Sequence, residues 1–387
     1  MRSITDTLNR LAALKRRHLP ETPPSDRLSD LSEFGENPGQ LRARCFIPTS
    51  LRPDAPLVVV LHGCLQTAAG YDYGSGWSRL ADEQGFALLF PEQQRSNNSA
   101  LCFNWFQPHD TKAGSGEALS IRQMVERMIL DHHLDRNRIF VTGLSAGGAM
   151  SAAMLAAYPD VFAAGGIIAG LAAGSATTIP EAFDRMRGHG GLDGEALGEL
   201  VRKSTLHTDR WPRLSIWHGD ADQTVNPSNS RVLVGQWLNL HGLTDASALE
   251  ANGQGHIHRA WRGPDGATVV EEYIVRGMGH GTPLHITADG YGVAGAYMLD
   301  AGISSTQRIA HFWDIAPAPE EVVLRRSMPK AAESTDRRYN HPAPALVTVP
   351  LQWRKAAGRA RQTTYDARVD GIKGIIEGAL RTAGLMK

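Results

Sequence analysis

Only three cysteines, Cys45, Cys64 and Cys102, occur among 387 residues. They are too few for a disulfide-stapled scaffold, and their spacing matches no zinc-binding pattern. Neither charge sign is in excess: 40 Lys and Arg balance 40 Asp and Glu, so nothing pulls the chain as a whole toward nucleic acid or an anionic membrane. No apolar run approaches the length of a transmembrane segment. The opening Met1-Arg2-Ser3-Ile4-Thr5-Asp6 lacks the continuous apolar stretch of a secretory signal, so the expected location is the cytoplasm. No internal repeat is visible. What is present is a chain with 42% hydrophobic residues, enough for one large core.

Three zones follow from composition. Residues 1–40 read as an appendage: Ile4, Leu8, Leu11 and Leu14 share one helical face, followed by Lys15-Arg16-Arg17 and a break at Pro20, Pro23 and Pro24. Residues 41–316 alternate apolar strands with helical segments. Leu57–Leu61 is an unbroken apolar run, as a parallel strand covered on both faces requires. Similar runs follow at 87–90, 138–142, 164–169, 214–217 and 269–275. This pattern predicts an α/β fold with a mostly parallel central sheet flanked by helices. The Gly-rich, weakly periodic stretch 171–208 would form a helical excursion over the active site. Residues 317–387 read as a Pro-rich linker ending in an amphipathic helix marked by Val369, Ile372, Ile376 and Leu380.

The most informative stretch is Val141-Thr142-Gly143-Leu144-Ser145-Ala146-Gly147-Gly148, a strand leading through G-x-S-x-G into a small-residue helix. That context is the nucleophile elbow, in which a serine hydroxyl stands above the sheet at a helix N-terminus. Gly143 and Gly147 fall where a Cβ would strike the neighbouring strand or helix. Ser145 is the candidate nucleophile. A serine needs a base to take its proton and a carboxylate to hold that base, in the chain order Ser, Asp or Glu, His. The loop His218-Gly219-Asp220-Ala221-Asp222 offers two aspartates; Asp220 suits a turn-capping role, and Asp222 lies far enough along to reach an imidazole. His280, flanked by glycines after the strand ending at Val275, is the candidate base, with His256, His258 and His285 as rivals. The oxyanion donors would be the backbone N–H of Ala146 and of Cys64 in His62-Gly63-Cys64-Leu65-Gln66, with His62 bracing that loop. This chemistry calls for no metal or organic cofactor.

With these residues assembled, the chain resembles the esterase family typified by poly(3-hydroxybutyrate) depolymerases, within the α/β-hydrolase superfamily. The resemblance rests on the 62–66 and 142–150 segments, Cys102-Phe103-Asn104-Trp105-Phe106, Arg210-Trp211-Pro212, Trp217–Asp222 and Gly277-Met278-Gly279-His280. It implies hydrolysis of short-chain hydroxyacid esters as polymer or soluble oligomer. Feruloyl and acetylxylan esterases are similar across the same motifs and remain the enzymatic alternative; a non-catalytic protein coating polymer granules is the alternative of another class. Many family members are extracellular or periplasmic, which is the alternative location. Family members outside the cell usually carry a signal peptide and a separate polymer-binding domain, and neither is recognisable here. Under the resemblance Cys64 and Cys102 pair in a disulfide that fixes the oxyanion loop, leaving Cys45 free; two reduced thiols are the alternative that a cytoplasmic setting favours. Trp105, with Phe103 and Phe106, would wall the acyl pocket or else pack in the core, and Tyr71 and Tyr73 would line its mouth. The partners expected are a polyester or oligoester substrate and, through the terminal helices, a polymer granule surface or a second copy.

Overall fold

The computed structural model describes residues 26–207, 209–287 and 290–319. The first half of the chain runs β1 (Ser29–Asp30), β2 (Arg42–Phe46), β3 (Leu57–Leu61), α1 (Ala68–Ser75), α2 (Trp77–Gln84), β4 (Ala87–Glu92), α3 (Pro108–Thr111), α4 (Gly116–His132), β5 (Ile139–Leu144) and α5 (Ala146–Ala157). The second half runs β6 (Ala164–Ile168), α6 (Ile179–Met186), α7 (Gly194–Ser204), β7 (Arg213–Gly219), α8 (Ser228–His241), β8 (Leu249–Asn252), β9 (His256–Arg262), β10 (Thr268–Val275), β11 (Thr282–Leu284), β12 (Met298–Asp300) and α9 (Ser305–Phe312). Ten strands form one sheet in the order β1-β2-β4-β3-β5-β6-β7-β10-β9-β8, and β11 pairs with β12 separately.

The six strands from β4 to β10 in that order are parallel, and the outer strands on both edges run antiparallel. The β3 sequence Leu-Val-Val-Val-Leu shows why the centre is uniformly apolar: all five residues are buried and feed two cores. Leu57, Val59 and Leu61 join Met124 and Val125 of α4 and Met150 and Met154 of α5 on one face. Val58 and Val60 join Tyr71, Trp77 and Leu80 on the other, where Trp313 stacks between Trp77 and Phe140 at 5.8 and 5.0 Å. The period-2 alternation of a strand explains how one apolar run serves both layers.

Residues 29–30 pair with β2, so the expected appendage boundary at residue 40 is corrected: the chain joins the sheet about ten residues earlier. The expected amphipathic helices near residues 4–14 and 369–380 lie outside the described residues. No helix among the described residues is long and apolar enough to cross a membrane. The stretch 171–208 holds α6 and α7, as an excursion between β6 and β7.

The packing at the elbow is the tightest constraint in this framework. A Cβ on Gly147 would sit 2.3 Å from the Leu61 carbonyl oxygen, and one on Gly143 would sit 2.5 Å from the Gly147 backbone. Both clashes are with backbone of central elements, which cannot swing aside as a side-chain tip could. Gly279, by contrast, has nothing within 4 Å of an added Cβ. Gly147→Ala is therefore expected to cost roughly 2–4 kcal/mol in urea unfolding, and Gly279→Ala less than about 1 kcal/mol.

Candidate active site

Ser145 follows β5 directly and holds φ 58° and ψ −117°, a sparsely populated conformation that the flanking glycines make room for. Its own N–H is committed to the Ile168 carbonyl at 2.9 Å. The next N–H, that of Ala146, opens α5 and donates to no group among the described residues. Beside β5 lies β3, with Leu61 opposite Gly143, so the 62–66 loop emerges next to the elbow. There Gly63 N–H donates to Gln66 Oε1 and Leu65 N–H to the Ala100 carbonyl, both at 2.8 Å. The Cys64 N–H between them is also unspent among the described residues. Two uncommitted backbone donors thus belong to residues lining the same cleft as Ser145 and His280.

The candidate carboxylate and base follow the ends of β7 and β10. His280 Nδ1 lies 2.7 Å from Asp222 Oδ2, while Asp222 Oδ1 accepts from Thr224 and Val225 N–H at 2.8 and 2.9 Å. His218 Nε2 approaches the same carboxylate at 3.3 Å and donates to the Val225 carbonyl at 2.9 Å. Burial opposes charge on Asp222, but the hydrogen bonds from His218 and His280 outweigh it and hold the carboxyl well below the usual carboxylate range. Asp220 is exposed and accepts from Gly277 N–H, so it anchors the His280 loop without touching the imidazole. Of the rival histidines, His256 and His258 lie on β9, where His258 bonds Glu271 at 3.0 Å, and His285 is not among the cleft residues.

The cleft has a volume of about 400 Å³. One side is apolar, formed by Leu171 and by Ile179, Ala182, Phe183 and Met186 of the excursion. Trp105 also lines it, edge-to-face with Phe106 at 5.6 Å, whereas Phe103 is fully buried 5.0 Å from the His62 ring. The placement of Tyr71 at the mouth is corrected. Tyr71 points inward from α1, fully buried, and its hydroxyl meets Thr282 Oγ1 at 3.1 Å, two residues beyond His280. Its apolar ring fits the second core better than a wet rim. Tyr73 is likewise absent from the cleft and lies beneath the Arg79 guanidinium.

A buried carboxyl group that the sequence motifs do not flag organises the loops around the site. Glu117, in the first turn of α4 and 0% exposed, accepts from Asn104 N–H at 2.9 Å, Asn104 Nδ2 at 2.8 Å, Gln93 Nε2 at 2.6 Å and Asn97 Nδ2 at 3.2 Å. Gln93 N–H in turn donates to His62 Nε2 at 3.1 Å. Cys102 is joined to Cys64 by a disulfide with Cα atoms 4.2 Å apart, and Cys45 is free and buried. The 62–66 loop is thereby tied at His62 through Gln93 and at Cys64 through the bridge, and both ties lead back to Glu117. Among the described residues, no group of three or more His, Cys, Asp or Glu side chains is arranged to hold a metal ion.

Ser145, Asp222 and His280 thus follow the ends of parallel strands β5, β7 and β10, and the chain is a carboxylic ester hydrolase. The chain belongs to the PHB depolymerase esterase family, whose model matches residues 43–260. It is 43% identical over 291 residues to poly(3-hydroxyalkanoate) depolymerase C of Paucimonas lemoignei, covering 74% of this chain and 70% of that one. It is 32% identical over 268 residues to feruloyl esterase B of Neurospora crassa, covering 67% and 89% respectively. In fold it is similar to an acetyl xylan esterase from Aspergillus awamori, with TM-score 0.64, 22% identity and coverage of 75% and 99%.

Burial pushes the Glu117 carboxyl up to about 8, against the pull of its N–H donors. An acid whose pKa is raised on folding binds its proton more tightly in the native state, so stability should fall as pH rises from about 4.5 to about 8 and level off beyond. Glu117→Gln should flatten that part of the melting-temperature profile. Glu117→Ala, which leaves buried donors without an acceptor, should lose roughly 3 kcal/mol throughout.

Proposed function

We propose that the chain is a serine esterase that hydrolyses short-chain hydroxyacid esters, of the poly- or oligo-3-hydroxybutyrate type, through an acyl-enzyme. The observation that carries this reading is the pair of unspent backbone N–H groups, Ala146 and Cys64, on the same partly apolar cleft as Ser145 and His280. With His280 Nδ1–H directed at Asp222 Oδ2, the other ring nitrogen, Nε2, is left unprotonated to act as base. It takes the Ser145 proton as Oγ attacks the ester carbonyl. The oxygen that becomes negative is met by the Ala146 and Cys64 N–H groups at the start of α5, where the helix dipole adds to them. The protonated imidazole then gives its proton to the departing alkoxide. Water, activated by the same nitrogen, releases the acid and restores Ser145.

The hydroxyalkanoate substrate is supported by the 43% identical relative, named a poly(3-hydroxyalkanoate) depolymerase, and by the apolar wall of α6, which suits short alkyl groups. The second reading, a feruloyl or acetylxylan ester hydrolase, is favoured by the relatives so named and uses the same chemistry. The Cys64–Cys102 bridge supports an oxidising compartment, hence the extracellular or periplasmic alternative over the cytoplasm. Attachment to a polymer granule surface or to a second copy is assigned in this proposal to the terminal amphipathic helices expected near residues 4–14 and 369–380.

Ser145→Ala and His280→Ala should each lower kcat by roughly three to six orders of magnitude in steady-state assays, and Asp222→Asn by about two to four. Asp220→Asn should mainly lower the melting temperature; a greater loss of kcat from it than from Asp222→Asn would overturn the assignment. A panel of hydroxybutyrate oligomers, feruloyl esters and acetylated sugars should give the highest kcat/KM with the first. Turnover confined to the sugar or feruloyl esters would establish the second reading.

A further inference from the structure

The cleft lining is mixed. Besides Leu171 and α6 it includes a polar set from the loop after β4, residues 95–99, with Gln66, Asn104 and Gln107. No Asp or Glu side chain lines the cleft, and Arg95 is its one permanently charged residue. Arg95 is exposed and forms no ion pair among the described residues; one guanidinium nitrogen donates to the Ser99 carbonyl at 2.8 Å. That single bond holds the head while leaving the other donors of the fork for a ligand.

The mounting of Arg95 is firm for a surface loop. Asn97 and Asn98 N–H both return to the Gln94 carbonyl, at 3.0 and 2.9 Å, closing a turn around Arg95. The Asn97 amide reaches Gly39, Gln93 and buried Glu117, and the Asn98 amide reaches Asn104 at 3.0 Å. An unpaired cation on a braced turn, in a cleft free of carboxylates, is arranged to receive an anion.

Resting on the hydroxyacid reading above, we infer that Arg95 forms a subsite for the free carboxylate at the acid end of a hydroxyacid oligomer. In such an oligomer the group leaving from the Ser145-bound carbonyl is the hydroxyl of the next hydroxyacid, and that portion ends in a carboxylate. The apolar residues then take the acyl side, and the polar set takes the leaving side. An acetylated neutral sugar offers the guanidinium no anion, so the same residue separates the two substrate classes.

The test compares a 3-hydroxybutyrate trimer as the free acid with the same trimer capped as a neutral carboxamide, using the full chain. Wild type should favour the free acid by about three- to tenfold in kcat/KM at low ionic strength, mainly through KM. The preference should largely vanish near about 1 M salt, where the Debye length is about 3 Å. Arg95→Gln should bring the ratio close to one, Arg95→Glu should invert it, and Arg95→Lys should keep part of it. Equal kcat/KM for both trimers in wild type, or a preference insensitive to salt and to Arg95→Gln, overturns the subsite while leaving the hydroxyacid reading standing. Turnover of acetylated sugars with neither trimer cleaved overturns the hydroxyacid reading itself.

Discussion

The closeness of β3 to the start of α5 is the constraint on which the site depends. The Leu61 carbonyl oxygen lies only 2.3 Å from where a Cβ of Gly147 would be, so strand and helix meet backbone to backbone. This contact turns the chain sharply at Ser145, lifting its hydroxyl out of the sheet. It also opens α5 against the loop leaving β3, so the Ala146 and Cys64 N–H groups belong to neighbouring segments. Parallel pairing of β3 with β5, in register at Leu61 and Gly143, sets the relation, and Gln66, His62 and the Cys64–Cys102 bridge hold the loop there. The proposed nucleophile and backbone donors thus rest first on close backbone packing.

The other half of the machinery is held by polar groups, with a division of labour between near neighbours. Asp222 is surrounded by donors on both oxygens, and its charge is stabilised despite burial. Asp220, two residues earlier, fastens the loop that carries His280. Tyr71 secures that loop from below through Thr282. His218, fully buried, ties Asp222 to the Val225 carbonyl. Charge placed in a low-dielectric setting is costly to move once satisfied, so this network orients the imidazole as well as polarising it.

What the sequence revealed, and what it hid, divides along physical lines. The parallel strands were legible because burial on both faces leaves an uninterrupted apolar run, as in Leu57–Leu61. Ser145, Asp222 and His280 could be singled out as candidates because each follows a strand end in a motif with its own turn chemistry. The antiparallel edges β1, β2, β8 and β9 carry no such signature: β8 is exposed at every position, and Arg42 to Phe46 mixes charge with apolar residues. Tyr71 was misplaced because a tyrosine in a Gly-rich loop looks the same whether it faces solvent or a core. Glu117 left no pattern at all: its contacts come from Asn104 and Gln93, well separated in the chain, and local periodicity does not encode such pairings. His218 sits inside a quoted motif, yet its hold on Asp222 became visible only when the loop's path was known.

The order in which the chain contributes to its site has a consequence for how the protein comes into being. The disulfide that ties the 62–66 loop joins Cys64 to Cys102, and Ser145 follows soon after, so the proposed nucleophile and backbone donors come from the early part of the chain. Asp222 and His280 arrive much later, and the His280 loop is placed only when β10 has paired with β7. Such distant pairings are slow to form, because loop closure must precede any gain from contact. On the function proposed above, a copy in which β10 has not yet paired with β7 would hold Ser145 without its base, so the appearance of hydrolysis in time would report that late pairing.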